Sequence, residues 1–135
     1  MAVGAPIKNV IIALTSADLV WNRACSVDRR ASGAGDVHLW KLLRVHNCVM
    51  SGGTTFAKEV LDPAAFPAAA EGCSYFGLLE LAGVMNRIAV MDDEDEEAMN
   101  TEYDALVPRD QVLVDAFERR YAAAPADFEP IESAS

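Results

Sequence analysis

The chain has 135 residues, 52% of them hydrophobic, and a formal net charge of −10. One domain of this length can bury about two thirds of its unfolded surface, and the apolar content excludes collagen-like and wholly disordered classes. The 21 acids against 11 bases argue against a basic binder of duplex DNA or anionic membrane, which needs a Lys/Arg surplus to neutralise phosphate.

Taken in chain order, the first apolar run, Val10 to Leu14, is far short of the roughly 20 residues of a membrane span. It also lacks the basic end and longer apolar stretch of a signal peptide, so a cytoplasmic location is expected. Val10-Ile11-Ile12 is β-branched, yet no second strand or hairpin turn stands ready to pair with it. The strip Ile7 to Leu14 either covers the core or serves a homodimer.

Thr15 or Ser16 caps a first helix, with Asp18 in capping-box position and Ala17, Val20, Trp21, Ala24 and Cys25 on one face. Asp36 caps a second, largely buried helix over Val37 to Met50, which Ser51-Gly52-Gly53 is expected to end. Phe56 to Leu61 suggests a short third helix, and Asp62-Pro63 a fourth start that Pro67 and Gly72 keep short. Ser74 or Tyr75 begins a helix through Ile88, and after Pro108 Asp110 caps a last amphipathic helix over Val112 to Tyr121. Gln111 to Val114 is the other strand candidate, but its continuation keeps helical period. The expected fold is all-α, a single compact domain of five to six helices over residues 1–124, followed by a mobile acidic tail over 125–135.

Catalytic signatures are sparse. His38 and His46, eight apart, would stand about 12 Å apart along one helix, too far to share a metal. His46 and Cys48 point in different directions. Gly52-Gly53-Thr54-Thr55 lacks the frame of a phosphate loop, and no HExxH, GxSxG or zinc spacing occurs. Cys25, Cys48 and Cys73 form no CxxC pair and read as three buried thiols. No cofactor, metal or catalytic residue is expected.

Charge is the strongest organising feature. Residues 1–61 hold seven bases and four acids, whereas residues 62–135 hold four bases and seventeen acids. Asp92, Asp93, Glu94, Asp95, Glu96 and Glu97 run unbroken, and Glu102 and Asp104 follow at helical spacing. The run lacks the central glycine and alternating ligands of a calcium loop. It reads either as a solubilising linker or as a negative face for a basic partner, with carboxylates a helical turn of about 5.4 Å apart, on the scale of phosphate spacing.

Val45-His46-Asn47-Cys48-Val49-Met50-Ser51-Gly52-Gly53, Phe56-Ala57-Lys58-Glu59-Val60-Leu61 and Ser74-Tyr75-Phe76-Gly77-Leu78 together resemble a bacterial family of small helical domains that includes DNA-mimic proteins. The likeness covers residues 37–90; Ser51 replaces the family's Asn, and Thr54 stands where an apolar residue is frequent. The resemblance implies an all-α domain without an established catalytic centre, whose acidic surface occupies the DNA-binding face of a regulator.

The expected function is therefore a non-enzymatic interaction protein, binding a basic protein through Asp92 to Glu97, Glu102 and Asp104 as a DNA mimic or an inhibitor of a nucleic-acid-binding protein. It is expected to touch neither nucleic acid nor membrane directly. One alternative is an immunity protein that neutralises a cationic toxin. The other is a ligand-binding or enzymatic domain with a pocket of His46, Asn47 and Arg44 near Gly52-Gly53.

Overall fold

The computed structural model describes residues 14–26 and 31–131. They form six α-helices: α1 (Ser16–Cys25), α2 (Ala34–Val60), α3 (Ala65–Tyr75), α4 (Leu79–Val90), α5 (Glu96–Leu106) and α6 (Gln111–Ala123). Short 3-10 turns, Asp93–Asp95 and Pro125–Asp127, precede α5 and follow α6. No strand occurs among the described residues, so the fold is a single all-α domain, and Gln111 to Val114 is helical. Val10 to Ile12 and most of the Ile7 to Leu14 strip lie outside the described residues.

The α1 start is a full capping box. Thr15 Oγ1 accepts from the Asp18 N–H at 3.1 Å, and the Asp18 carboxylate accepts from the Thr15 N–H at 3.0 Å. Helix α2 begins earlier than expected, behind Gly33, with no side-chain cap. Asp36 caps nothing; its carboxylate turns inward to the Arg23 guanidinium, for reasons of charge rather than helix initiation. Leu39, Leu42, Leu43, His46 and Val49 recur at helical spacing and are buried.

As expected, helical geometry ends at the glycine pair, and α2 is two helices joined across a kink, the second running to Val60. Gly53 takes φ 91° and ψ 179°, a conformation essentially reserved for glycine, and the helix resumes at once. Thr54 stabilises the restart: its N–H and its hydroxyl both donate to Asn100 Oδ1 of α5, at 2.9 and 2.8 Å. Gly53→Ala should lower stability by about 1–3 kcal/mol, the usual strain of such a backbone. Gly83→Ala, in a helix interior where a Cβ meets nothing within 4 Å, should raise it by about 0.5–1 kcal/mol. Urea midpoints of the two variants check the pair, and equal shifts would refute the strain at Gly53.

Asp62-Pro63 forms a turn before the next helix rather than its first residues: the Asp62 carboxylate accepts from the Ala64 N–H at 3.2 Å, and α3 begins at Ala65 with no side-chain cap. Neither Pro67 nor Gly72 shortens α3, however. Pro67 is the third helical residue, where an N–H has no intrahelical acceptor to lose. Gly72 is there for proximity: a Cβ would fall 2.5 Å from the His38 carbonyl oxygen, so glycine lets α3 cross directly over α2. Ser74 and Tyr75 end α3 rather than opening α4. Gly77, at φ 80°, makes the turn, and the Leu78 N–H reaches back to the Cys73 carbonyl at 2.8 Å.

The core runs from Val20 through the α2 leucines to Phe66, Ala69, Met85, Ile88, Tyr103 and Leu113. At one end Phe117 collects Trp21, Tyr121 and Phe128, each with ring centroids 5.7 Å away, and Phe76 at 6.2 Å. Phe128 is buried, and the Asp127 carboxylate accepts from the Tyr75 hydroxyl at 2.6 Å. The expectation of a mobile tail from residue 125 is therefore corrected for residues 125–131, which an aromatic side chain and two acids fasten to the domain. Among the described residues no helix is long and apolar enough to cross a membrane.

Candidate functional site

The acidic run divides by the job each carboxylate performs. The Asp92 side chain accepts from the Asp95 N–H, and the Asp92 N–H donates to Asp95 Oδ2 at 3.2 Å, a second capping box. Asp95 and Glu96 then stand at the very start of α5, where the helix dipole favours negative charge. Glu102 is bonded in a fork by Arg87 of α4, with one arm at 2.8 Å. The Arg87 hydrogen bonds hold the Glu102 carboxyl below its ordinary range, and its charge is matched within the molecule.

Asp93, Glu94, Glu97 and Asp104 remain. All four are exposed and form no ion pair among the described residues. On α5, Met99 and Tyr103 face the core, which places Glu97, Thr101 and Asp104 outward. Glu97 and Asp104 are two turns, about 10.5 Å, apart along the axis. Of the eight acids singled out in the sequence, then, the structure leaves four uncommitted and gives the others work within the fold.

His46 is the polar centre of the core, only 1% exposed. Its Nε2 lies 2.8 Å from Asp110 Oδ1 and its Nδ1 2.7 Å from the Tyr103 hydroxyl. A carboxylate only accepts, so Nε2 carries the hydrogen that donates to Asp110, and Nδ1 shares the second hydrogen bond with the Tyr103 hydroxyl. Burial pushes the Tyr103 phenol far above its ordinary range, which keeps that hydroxyl proton in place. The three residues tie α2, α5 and the start of α6 together, and Asp110 serves this tie with its side chain instead of capping.

His46 does not gather a pocket with Arg44 and Asn47. The Arg44 guanidinium lies 5.4 Å over the Trp40 ring, and Asn47 is exposed, its carbonyl accepting from Ser51 Oγ at 2.8 Å. His38 takes a different role, stacked on Tyr75 at 4.6 Å, with burial holding its pKa below the ordinary range. The Arg120 guanidinium also lies over Tyr75, at 4.2 Å.

The thiols are free but unequal. Cys73 is buried, and burial pushes it up to about 12. Cys48 is half-buried and Cys25 exposed, which corrects the expectation of three buried thiols. Among the described residues no three His, Cys, Asp or Glu side chains come together to hold a metal.

Sequence reasoning missed the partners of His46, the Asn100 anchor at Gly53 and the Arg87–Glu102 fork. Each pairs residues on separate helices, and sequence periodicity carries no signal for such meetings. Compared with family models, curated proteins and solved structures, the chain matches none. Fold and surface together define an all-α domain, with six helices among the described residues, a polar tie in its core and an acidic outer face on α5.

Proposed function

We propose that this is a non-enzymatic acidic interaction protein, binding a basic protein partner through the outer face of α5 and the turn before it. A nucleic-acid-binding protein is the partner that the chemistry suits, because carboxylates on one helix face offer a basic surface the negative charge it otherwise finds in phosphate. The supporting observation is that Asp93, Glu94, Glu97 and Asp104 are exposed, of one sign and unmatched among the described residues. Like charges this close oppose one another in the free protein. A cationic partner relieves that repulsion and is steered in by the same field.

The test separates this face from net charge. One bait carries Asp93→Asn, Glu94→Gln, Glu97→Gln and Asp104→Asn. The control bait loses the same charge from exposed residues elsewhere, by Glu59→Gln, Glu71→Gln, Glu80→Gln and Glu118→Gln. From host-cell lysate at low salt, wild type and control should retain a basic protein that duplex DNA displaces. The face variant should bind it about tenfold more weakly, the loss of roughly 1.4 kcal/mol. Equal retention by all three baits would overturn the proposal.

A further inference from the structure

We propose that the outer face of α4 is a self-association surface, on which a second copy of this chain packs antiparallel across a two-fold axis. Of the large apolar side chains exposed among the described residues, Val90 at 80% and Leu79 at 69% stand furthest out. They lie at opposite ends of one helix, three turns apart on the same side. Gly83 and Asn86, also exposed, fall between them. The four residues span only about 60° of the helix circumference, opposite the side that buries Leu81, Val84, Met85 and Ile88.

Leu79, Gly83, Asn86 and Val90 follow one another at steps of four, three and four residues, the spacing of the contact positions in a helix pair. That spacing reads the same from either end. In an antiparallel pair Leu79 of one copy therefore meets Val90 of the other, and Gly83 meets Asn86, each contact occurring twice. A strip complementary to itself is what a two-fold interface requires. A Cβ at Gly83 would meet nothing within 4 Å, so the glycine leaves room for the Asn86 amide opposite. At the Leu79 end a hollow of about 200 Å³, lined also by Leu78, Leu106 and Val112, widens the apolar surface.

Charge selects the occupant and its direction. Glu80 and Arg87, the two charged residues of α4, flank the strip along one edge, and Ala82 and Ala89 flank it along the other. In a parallel pair the charged edge of each helix would lie against the alanine edge of its partner, and no ion pair would form. In an antiparallel pair like edges meet, so Glu80 of each copy faces Arg87 of the other. Arg87 already holds Glu102 in a fork, yet a guanidinium carries five N–H donors, and this side chain is 51% exposed. The chain thus supplies both halves of the pattern itself. The contact is that of a short helix, so the dimer forms in a concentration-dependent equilibrium.

Sedimentation equilibrium of the full chain tests the assignment. The wild type should pass reversibly from monomer to dimer between micromolar and millimolar concentration. Each substitution on a two-fold face acts twice. Val90→Glu, at a side chain the fold leaves exposed, should weaken the dimer about a hundredfold. Glu80→Arg and Arg87→Glu should each weaken it about tenfold, because each sets like charges opposite one another. Mixed together, these two variants should recover the wild-type affinity, since each then supplies the charges that the other lacks. Met50→Glu, at an exposed position on α2, should dimerise as the wild type does. Circular dichroism checks that each variant folds, and Val90→Glu with Glu80→Arg decides the matter even if Arg87→Glu, which also loses the Glu102 fork, does not. A wild type that stays monomeric throughout, a dimer that survives Val90→Glu, or a mixture of the two folded charge variants no tighter than its components overturns the inference.

Discussion

Truncation of Phe117 to alanine is expected to destabilise the protein by about 3–5 kcal/mol, the range for removing a buried aromatic ring. Phe117 is where separate parts of the chain meet: Trp21 of α1, Phe76 at the end of α3, Tyr121 one turn along α6 and Phe128 beyond it. Because those neighbours belong to four segments held in place by other contacts, they cannot collapse together into the space left behind. Domains of this kind hold about 5–15 kcal/mol in all, so the variant should sit close to unfolding. Phe56→Ala serves as the comparison, since that ring is 37% exposed and should lose much less. Urea denaturation followed by circular dichroism reads both, and a loss below about 1 kcal/mol at Phe117, the scale of an ordinary surface or peripheral change, would show that the ring is no hub.

The second large effect is expected at Arg23. Its side chain and that of Asp36 are only 11% and 4% exposed, with 2.7 Å between Nη2 and Oδ1. The same nitrogen donates to the Glu129 carbonyl at 2.8 Å. Arg23→Met keeps most of the packed stem but leaves the Asp36 carboxylate buried with one remaining donor, the Glu129 N–H. Removing one partner of a buried pair costs about 3–5 kcal/mol. Replacing both, as Arg23→Met with Asp36→Leu, should recover much of that loss, because the penalty lies in the orphaned charge. Hydrogen exchange should also rise in residues 125–131 of the single variant, since Arg23 and Asp36 tether the Glu129 backbone. If the double variant is as unstable as the single one, the ion pair is not what holds this corner.

Both predictions turn on residues whose helical placement was legible and whose partners were not. Helical periodicity placed Phe117 on the apolar face of the last helix, and Trp21 on that of the first. Nothing in the spacing said that the two faces meet, or that Phe128 would fold back onto them from what read as a mobile tail. The tail expectation weighed small and acidic residues and gave too little to one phenylalanine, whose burial outweighs a solvated strand of polar neighbours.

Local chemistry fared in the same way. Thr15 and Asp18 start a helix as expected, because capping needs only neighbouring backbone N–H groups, whereas the Asp62 side chain bonds only within the turn that precedes α3. Asp36 and Asp110 carry the same sequence signal and do not cap with their side chains. Arg23 claims one and His46 the other, since charge pairing and a buried imidazole outbid an exposed cap. Gly53 was read correctly as a point where helical geometry fails, but its continuation into Thr54 depends on Asn100 of α5. Gly72 was read as a terminator, when its missing Cβ is what permits α2 and α3 to cross.

By itself, then, the sequence determined the all-α class, the positions of most helices and the separation of charge between the two halves. Those properties follow from local periodicity, capping and composition, each of which acts within a few residues. Only the tertiary structure decided which acids stay free on α5 and how His46 is enclosed by Tyr103 and Asp110. Those depend on side chains from helices far apart in sequence arriving within about 3–6 Å of one another, where hydrogen bonds and ring contacts first become possible.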